Sequence, residues 1–252
     1  MNLSYDVCGD GHALVLLHSS VCDRRMWDPQ LRALRDAGYR VVRCDFRGYG
    51  RSPVADQPYS DAADVWDLLD HLRLERCALI GSSHGGEVAL EMAATRPERV
   101  SALMLLCSAM PGRVQGPELR AFTEQKNALL AADDLAGAVE LSVKTWLGPE
   151  GGEDVREQVR RMQRHAFEAQ ARAKFASTGT AVDLTRITAP CLALSGAHDL
   201  ADFREIAADV PAWVVGARHL ELPWAGHLPN LERPSGVTDL LTAFLGETLP
   251  PH

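Results

Sequence analysis

Six short, largely apolar runs punctuate the chain: Ala13 to Leu17, Tyr39 to Cys44, Cys77 to Ile80, Val100 to Cys107, Pro190 to Leu194 and, more weakly, Ala217 to Leu222. Between them apolar residues recur at helical spacing. Trp27, Leu31 and Leu34 share a face, with Asp28-Pro29 as a start signal and Gly38 as a stop. Val65, Leu68, Leu69 and Leu72 follow the cap candidate Ser60, and Val237, Leu240, Leu241 and Phe244 follow Pro234. Strands that are apolar throughout are buried on both faces, which predicts an α/β fold with a mostly parallel sheet covered by helices on both faces.

The alternation of strand and helix stops after Cys107. From 110 to 183 only helical periods remain: Leu119, Phe122 and Leu129, then Leu135, Val139, Val143 and Trp146, then Val155, Val159, Met162 and Ala166. This predicts one core domain in two parts, 1–109 and 184–252, with a helical cap, 110–183, inserted between two strands. Lying over the C-terminal ends of the strands, the insertion would serve either as a lid or as a structural layer.

The run Ala78-Leu79-Ile80 leads directly into Gly81-Ser82-Ser83-His84-Gly85-Gly86 and then into a helical pattern. A sharp turn from strand to helix, with glycines on both sides, holds a serine hydroxyl exposed at the top of a parallel sheet. Ser83 is therefore the candidate nucleophile. A hydroxyl is a weak nucleophile at neutral pH and needs a base, a group that orients the base, and donors for the oxyanion. His227, in the loop Pro223 to Pro229 before the last helix, is the candidate base, and Asp199, directly after the run Pro190 to Leu194, the candidate orienter. Serine, aspartate, histidine is the chain order this architecture uses. The backbone N–H groups of Ser20, in the loop after the first apolar run, and of His84 are the candidate oxyanion donors, with the His84 side chain as packing or pocket lining. His198 is expected to point away from Asp199, His219 to be a structural histidine inside a strand, and Asp45 to form a turn. Val21, Met110, Phe122 and Trp146 are candidates for the wall of a substrate pocket.

The chain resembles the α/β-hydrolase superfamily over nearly its whole length. The likeness rests on His18-Ser19-Ser20, Asp45-x-Arg47-Gly48-x-Gly50-x-Ser52, Gly81-x-Ser83-x-Gly85-Gly86, Gly196-x-x-Asp199, and Gly226-His227 with Glu232-Arg233-Pro234. Within it, Asp23 to Gln30 is similar to 3-oxoadipate enol-lactonase-like members. The chain departs from the pattern in having Ser19 where most members have glycine, and a Ser-His elbow where enol-lactonases often have Ser-Met. The resemblance implies a serine hydrolase acting on a small carboxylic ester or lactone through an acyl-enzyme. The same scaffold also carries carbon-carbon bond hydrolases and cofactor-free perhydrolases, and a triad-retaining ligand-binding protein is a third reading. Serine at the elbow argues against the dehalogenases and epoxide hydrolases of the superfamily, whose nucleophile is a carboxylate.

Composition narrows the partners. At 252 residues, 46% of them hydrophobic, the chain can bury one sizeable core. A net charge of -8 offers no basic stripe for nucleic acid, and the basic segment Arg156 to Arg172 is interleaved with Glu157 and Glu168 as a solvated helix face would be. No apolar run reaches membrane-spanning length, and the first residues lack a basic and then apolar leader, so a cytoplasmic protein is expected. The six cysteines show no C-x-x-C pairing and read as free thiols, mostly buried, with Cys22 in a polar loop. Neither H-E-x-x-H nor a phosphate-cradling glycine loop is present, so neither a metal nor another cofactor is expected. The expected partner is a small molecule, and self-association is left open.

Overall fold

The structure is a computed structural model, and it describes residues 3–249. Its first strand, β1 (Tyr5–Cys8), is followed by β2 (Ala13–Leu17), α1 (Asp28–Asp36), β3 (Arg40–Cys44), α2 (Asp61–His71), β4 (Cys77–Ser82), α3 (His84–Thr95) and β5 (Val100–Leu106). Then come α4 (Pro117–Ala131), α5 (Leu135–Trp146) and α6 (Glu153–Gln170), and the chain returns to the sheet with β6 (Cys191–Gly196), α7 (Ala201–Trp213), β7 (Arg218–Leu222), α8 (Pro229–Glu232) and α9 (Pro234–Thr248). The strands form one sheet in the order β1-β3-β2-β4-β5-β6-β7, and every neighbouring pair is parallel except β1 with β3.

Alternate side chains of the central strands feed two separate cores. Val15, Leu17 and Leu79 pack with Val65 and Leu68 of α2, Val88 and Met92 of α3, and Ile206 and Val210 of α7. Leu14, Leu16 and Ile80 pack on the other face with Leu34 of α1 and Val237, Leu241 and Phe244 of α9. β2 and β4 are buried at every position, which is why they read as continuous apolar runs and show no alternation.

All six predicted strands are present, and β4 and β6 each run two residues beyond the apolar stretch that announced them. The four-residue β1 was not predicted; half-buried and at the sheet edge, it carries too little apolar patterning to stand out. Ser60 caps α2, accepting from the Ala63 N–H at 3.4 Å. In α6, Arg160 reaches Glu153 of the same helix and Glu140 of α5, each at 2.6 Å, so the basic segment is a helix face answered by acids of its own and of the neighbouring helix. Among the described residues no helix is long and apolar enough to cross a membrane.

The chain passes from β2 through α1 to β3 on one side of the sheet and then crosses to β4 on the other side of β2. The loops after β2 and β4 therefore flank a point where the winding reverses, and a crevice opens there beyond the C-terminal strand ends. Both Ser20 and Ser83 lie on those loops.

Candidate active site

Ser83 joins β4 to α3 at φ 54° and ψ −118°, a conformation that residues with side chains rarely adopt. Its own peptide groups hold it there. The Ser83 N–H donates to Leu106 O at 3.0 Å, while its carbonyl accepts from the N–H groups of Gly86 at 2.9 Å and Ala109 at 3.1 Å. The flanking glycines are required by space: a Cβ on Gly81 would lie 2.3 Å from Gly85 O, and one on Gly85 would lie 2.3 Å from Leu17 O. His84 occupies the first turn of α3, where a backbone N–H has no carbonyl partner within the helix.

The loop after β2 is fixed by His18. Its Nδ1 lies 2.8 Å from Ser19 O and its Nε2 accepts from the Phe46 N–H at 3.0 Å, which calls for a neutral ring with the proton on Nδ1. Burial pushes the His18 pKa down, in agreement with that tautomer. Ser19 does not need the backbone freedom of the glycine it replaces, because its φ is not positive. Its Oγ accepts from the Val21 N–H at 3.3 Å and closes the turn locally. Asp45 is the turn former expected of it, accepting from the N–H groups of Arg24 and Arg51, both at 2.9 Å, and pairing with the Arg24 guanidinium.

Asp199 and His227 meet. Asp199 Oδ2 accepts from His227 Nδ1 at 2.7 Å, and Oδ1 accepts from the Leu200 N–H at 2.7 Å. Both side chains are out of solvent, and the imidazole packs against the rings of Trp146, at 4.5 Å, and Phe203, at 4.3 Å, which also touch each other. The other ring nitrogen, Nε2, is buried and has no hydrogen-bond partner among the described residues. The structure thus joins the aspartate to the histidine, and no hydrogen bond links Ser83 to His227. His198 is exposed, and His219 is a strand residue paired with Ser195 Oγ at 2.8 Å.

The loop bearing His227 is anchored by a residue to which the sequence reading gave no role. Buried Glu232 accepts from the N–H groups of Gly226 at 3.0 Å and Leu228 at 3.3 Å, and also from Gly148 in the helical insertion. Burial raises its pKa, against the pull of those three donors. The His227 N–H donates to Trp146 O at 3.0 Å, a second tie to the insertion.

A cavity of about 750 Å³ opens over Ser83, within the range of small-molecule sites. Ser20, Val21, His84, Phe122, Trp146 and Phe203 are among the residues on its wall. Met110 is not. It is buried in the core beneath α3, because the chain leaving β5 turns inward before it reaches the insertion. The His84 side chain is more than lining: Nε2 lies 3.0 Å from Asp61 Oδ2 and Nδ1 lies 3.4 Å from Glu87 Oε2. Burial by itself would lower its pKa, but the two carboxylates outweigh burial and hold it at about 10, so the ring is an imidazolium at neutral pH. Asp61 lies more than twenty residues from His84 in sequence, and no local pattern announces the pair.

Cys22 is buried, with its thiol pKa pushed far up by burial, so it is no reactive surface thiol. The one cluster of described residues able to converge on a metal is Cys107, Asp199 and His227, whose donor atoms lie within 4.8 Å of one another. Burial raises the Cys107 thiol well above its ordinary range, which disfavours the thiolate that a metal would need.

Residues 14–240 match the model of the alpha/beta hydrolase family. The solved structure of a hydrolase from Pseudomonas aeruginosa superposes with a TM-score of 0.80 at 32% identity, covering 97% of this chain and 94% of that one. The enol-lactonase from Burkholderia xenovorans superposes with a TM-score of 0.77 at 28% identity, covering 96% of each chain. A segment of 112 residues is 43% identical to RutD of Variovorax paradoxus, and that match spans 42% of each chain. The chain spans about two fifths of the length of the first curated relatives it matches.

Two outcomes test this geometry. Replacing Glu232 by Ala strands three backbone donors and should cost about 1–3 kcal/mol in urea denaturation, with Glu232→Gln, which keeps one acceptor, in between; a parental midpoint for Glu232→Ala would remove its anchoring role. A histidine whose folded pKa lies above its unfolded value contributes its stability fully below about pH 6.5 and loses it as pH rises through about 10. Unfolding free energy should therefore fall between pH 7 and 10 more steeply in the parent than in His84→Gln, and equal slopes would exclude the imidazolium.

Proposed function

The chain belongs to the alpha/beta hydrolase family, in its esterase and lactonase branch, and from that premise we propose that it cleaves a small carboxylic ester or lactone through an acyl-enzyme on Ser83. One observation carries the reading. Asp199 occupies Nδ1 of His227 at 2.7 Å, and the buried Nε2 is left with no partner among the described residues. That is the tautomer and the free nitrogen that a general base needs.

In this mechanism Ser83 Oγ attacks the carbonyl carbon while its proton passes to His227 Nε2. Asp199 stabilises the imidazolium so formed. The negative charge that develops on the carbonyl oxygen is met by the N–H groups of Ser20 and His84, worth about 3 kcal/mol of transition-state stabilisation for each donor. The tetrahedral species collapses as His227 returns the proton to the departing alcohol oxygen, which in a lactone stays tethered to the acyl group. Water, deprotonated by the same imidazole, then attacks the acyl-enzyme, and Ser83 recovers its proton as the carboxylic acid leaves.

We read residues 110–183 as the cap over this site. Phe122 and Trp146, carried by α4 and α5, face the cavity from the insertion and would bound the acyl group together with Val21. Their rings lie 4.7 Å apart in an edge contact, so they form one wall.

Ser83→Ala should lower kcat on p-nitrophenyl acetate by about 10⁴-fold or more with little change in Tm, and a fluorophosphonate should label Ser83 in the folded parent. Parental turnover by the alanine variant would end the assignment. Trp146→Ala should alter the ratio of kcat/KM between short and long acyl esters; an unchanged profile would take Trp146 off the acyl-binding wall.

A further inference from the structure

A second cavity, of about 320 Å³, lies behind the first and shares with it the walls formed by Asp61, His84, Glu87 and Ser177. Glu91, one turn beyond Glu87 on the same face of α3, lines only this second space, and it is 7% exposed. Neither Glu91 carboxylate oxygen has a hydrogen bond or an ion pair among the described residues. Asp61 is 4% exposed, and its Oδ1 likewise has no partner. Two carboxylates, Asp61 and Glu87, thus pair with one imidazolium, and Glu91 lines the same space without a partner. Asp61 is answered by the His84 imidazolium, whereas Glu91 lines this cavity, largely out of solvent, with no protein counter-charge, and a carboxylate so placed favours a cation in the space beside it.

The chemistry of that missing partner can be narrowed. The oxygens of Asp61, Glu87 and Glu91 do not come together within the 4.8 Å that would let one ion touch all three; among the described residues only the Cys107 group does so. A single bare metal ion is therefore a poor fit. Ala62, Val88 and Pro111 supply apolar wall between the charges, which suits an aliphatic stem ending in a charged head. Glu87 and Glu91 stand four and eight residues beyond Ser83, about 6 and 12 Å along the helix axis.

We propose that this second cavity is a subsite for a primary ammonium group carried on an aliphatic chain, so that the preferred substrate has its ester or lactone carbonyl at Ser83 and its ammonium between Glu87 and Glu91. The substrate part of this statement rests on the serine-hydrolase reading above; the subsite itself does not.

The test compares p-nitrophenyl esters of 6-aminohexanoic and 8-aminooctanoic acid with the methyl-terminated heptanoic and nonanoic esters, in the parent and in Glu91→Gln. The ratio of kcat/KM between amino and methyl esters is read within each protein, so a general loss of activity cancels. Because Glu91 has no partner to lose, the glutamine variant should fold, with a Tm at or above that of the parent. In the parent at least one amino ester should be favoured by about tenfold, and Glu91→Gln should remove most of that preference. A parental ratio near or below one, or a ratio unchanged by the substitution, overturns the subsite and leaves the hydrolase reading standing. If no ester is cleaved in a Ser83-dependent way, the hydrolase reading fails, and n-hexylammonium titrated by calorimetry decides the subsite alone: binding weakened by Glu91→Gln supports it, and no binding or equal binding overturns it.

Discussion

Ser83 can sit at φ 54° and ψ −118° because Gly81 and Gly85, two residues to either side, carry no Cβ and because its peptide groups are spent on β5 and on the first turn of α3. Such a conformation costs on the order of 1–3 kcal/mol and persists only where the surroundings over-determine it. Here they do. The Ser83 N–H is taken by Leu106 O, Gly85 lies against the carbonyl of Leu17, and a Cβ on Gly86 would stand 2.2 Å from Ser108 Oγ. The turn thus pins the start of α3 to β2 and β5 together. The loop after β2, the candidate nucleophile and the cavity floor all take their positions from that contact, and fully buried central strands are its precondition.

The histidine side of the site is held by different means. Asp199 and His227 come from loops after β6 and β7, and backbone bonds stitch these loops to each other: the His198 N–H donates to Ala225 O at 2.9 Å, and the Ala197 N–H to Leu222 O at 3.0 Å. Glu232 then ties the His227 loop to itself and to Gly148. Trp146 contributes twice, since its indole lines the cavity while its carbonyl accepts the His227 N–H. The helical insertion is therefore part of what fixes the imidazole, and a group pressed against the Trp146 ring bears on the same residue that positions His227.

The sequence disclosed whatever was written in local pattern. Apolar runs announced β2 to β6 because inner parallel strands are buried on both faces, and β7 only weakly because it is a mostly exposed edge strand; the glycines around Ser83 announced the turn because only they fit it. Asp199 and His227 were singled out by their loops directly after strand-like runs, in the chain order that this architecture uses. Other features were hidden because their causes are not local. β1 is short and half-solvated, so nothing distinguishes it from a loop. Met110 looked like a wall residue, yet the path of the chain after β5, which no periodicity encodes, sends it into the core. Glu232 lay in a recognised motif, but its task, gathering three N–H groups from two distant segments, exists only once the loop has folded around it. His84 was read as backbone donor and lining because its charge depends on Asp61, which arrives from α2.

That charge has a structural logic of its own. A cation in the first turn of a helix opposes the positive end of the helix dipole, where negative groups are favoured. An imidazolium at His84 is consequently unstable unless carboxylates overcome both the dipole and the loss of solvent. Asp61 at the start of α2 and Glu87 in the first turn of α3 do so, and each also sits at a helix N-terminus that welcomes a negative charge. Two acids on one imidazole leave the group with a net negative charge, and Glu91 one turn further adds to it with no ion pair among the described residues. Such an excess is tolerable here because His84 and Glu87 are only part-buried and the space beside them admits a compensating charge from outside. The electrostatics around His84 thus extend the site away from the candidate nucleophile and along α3, in the direction of the second cavity.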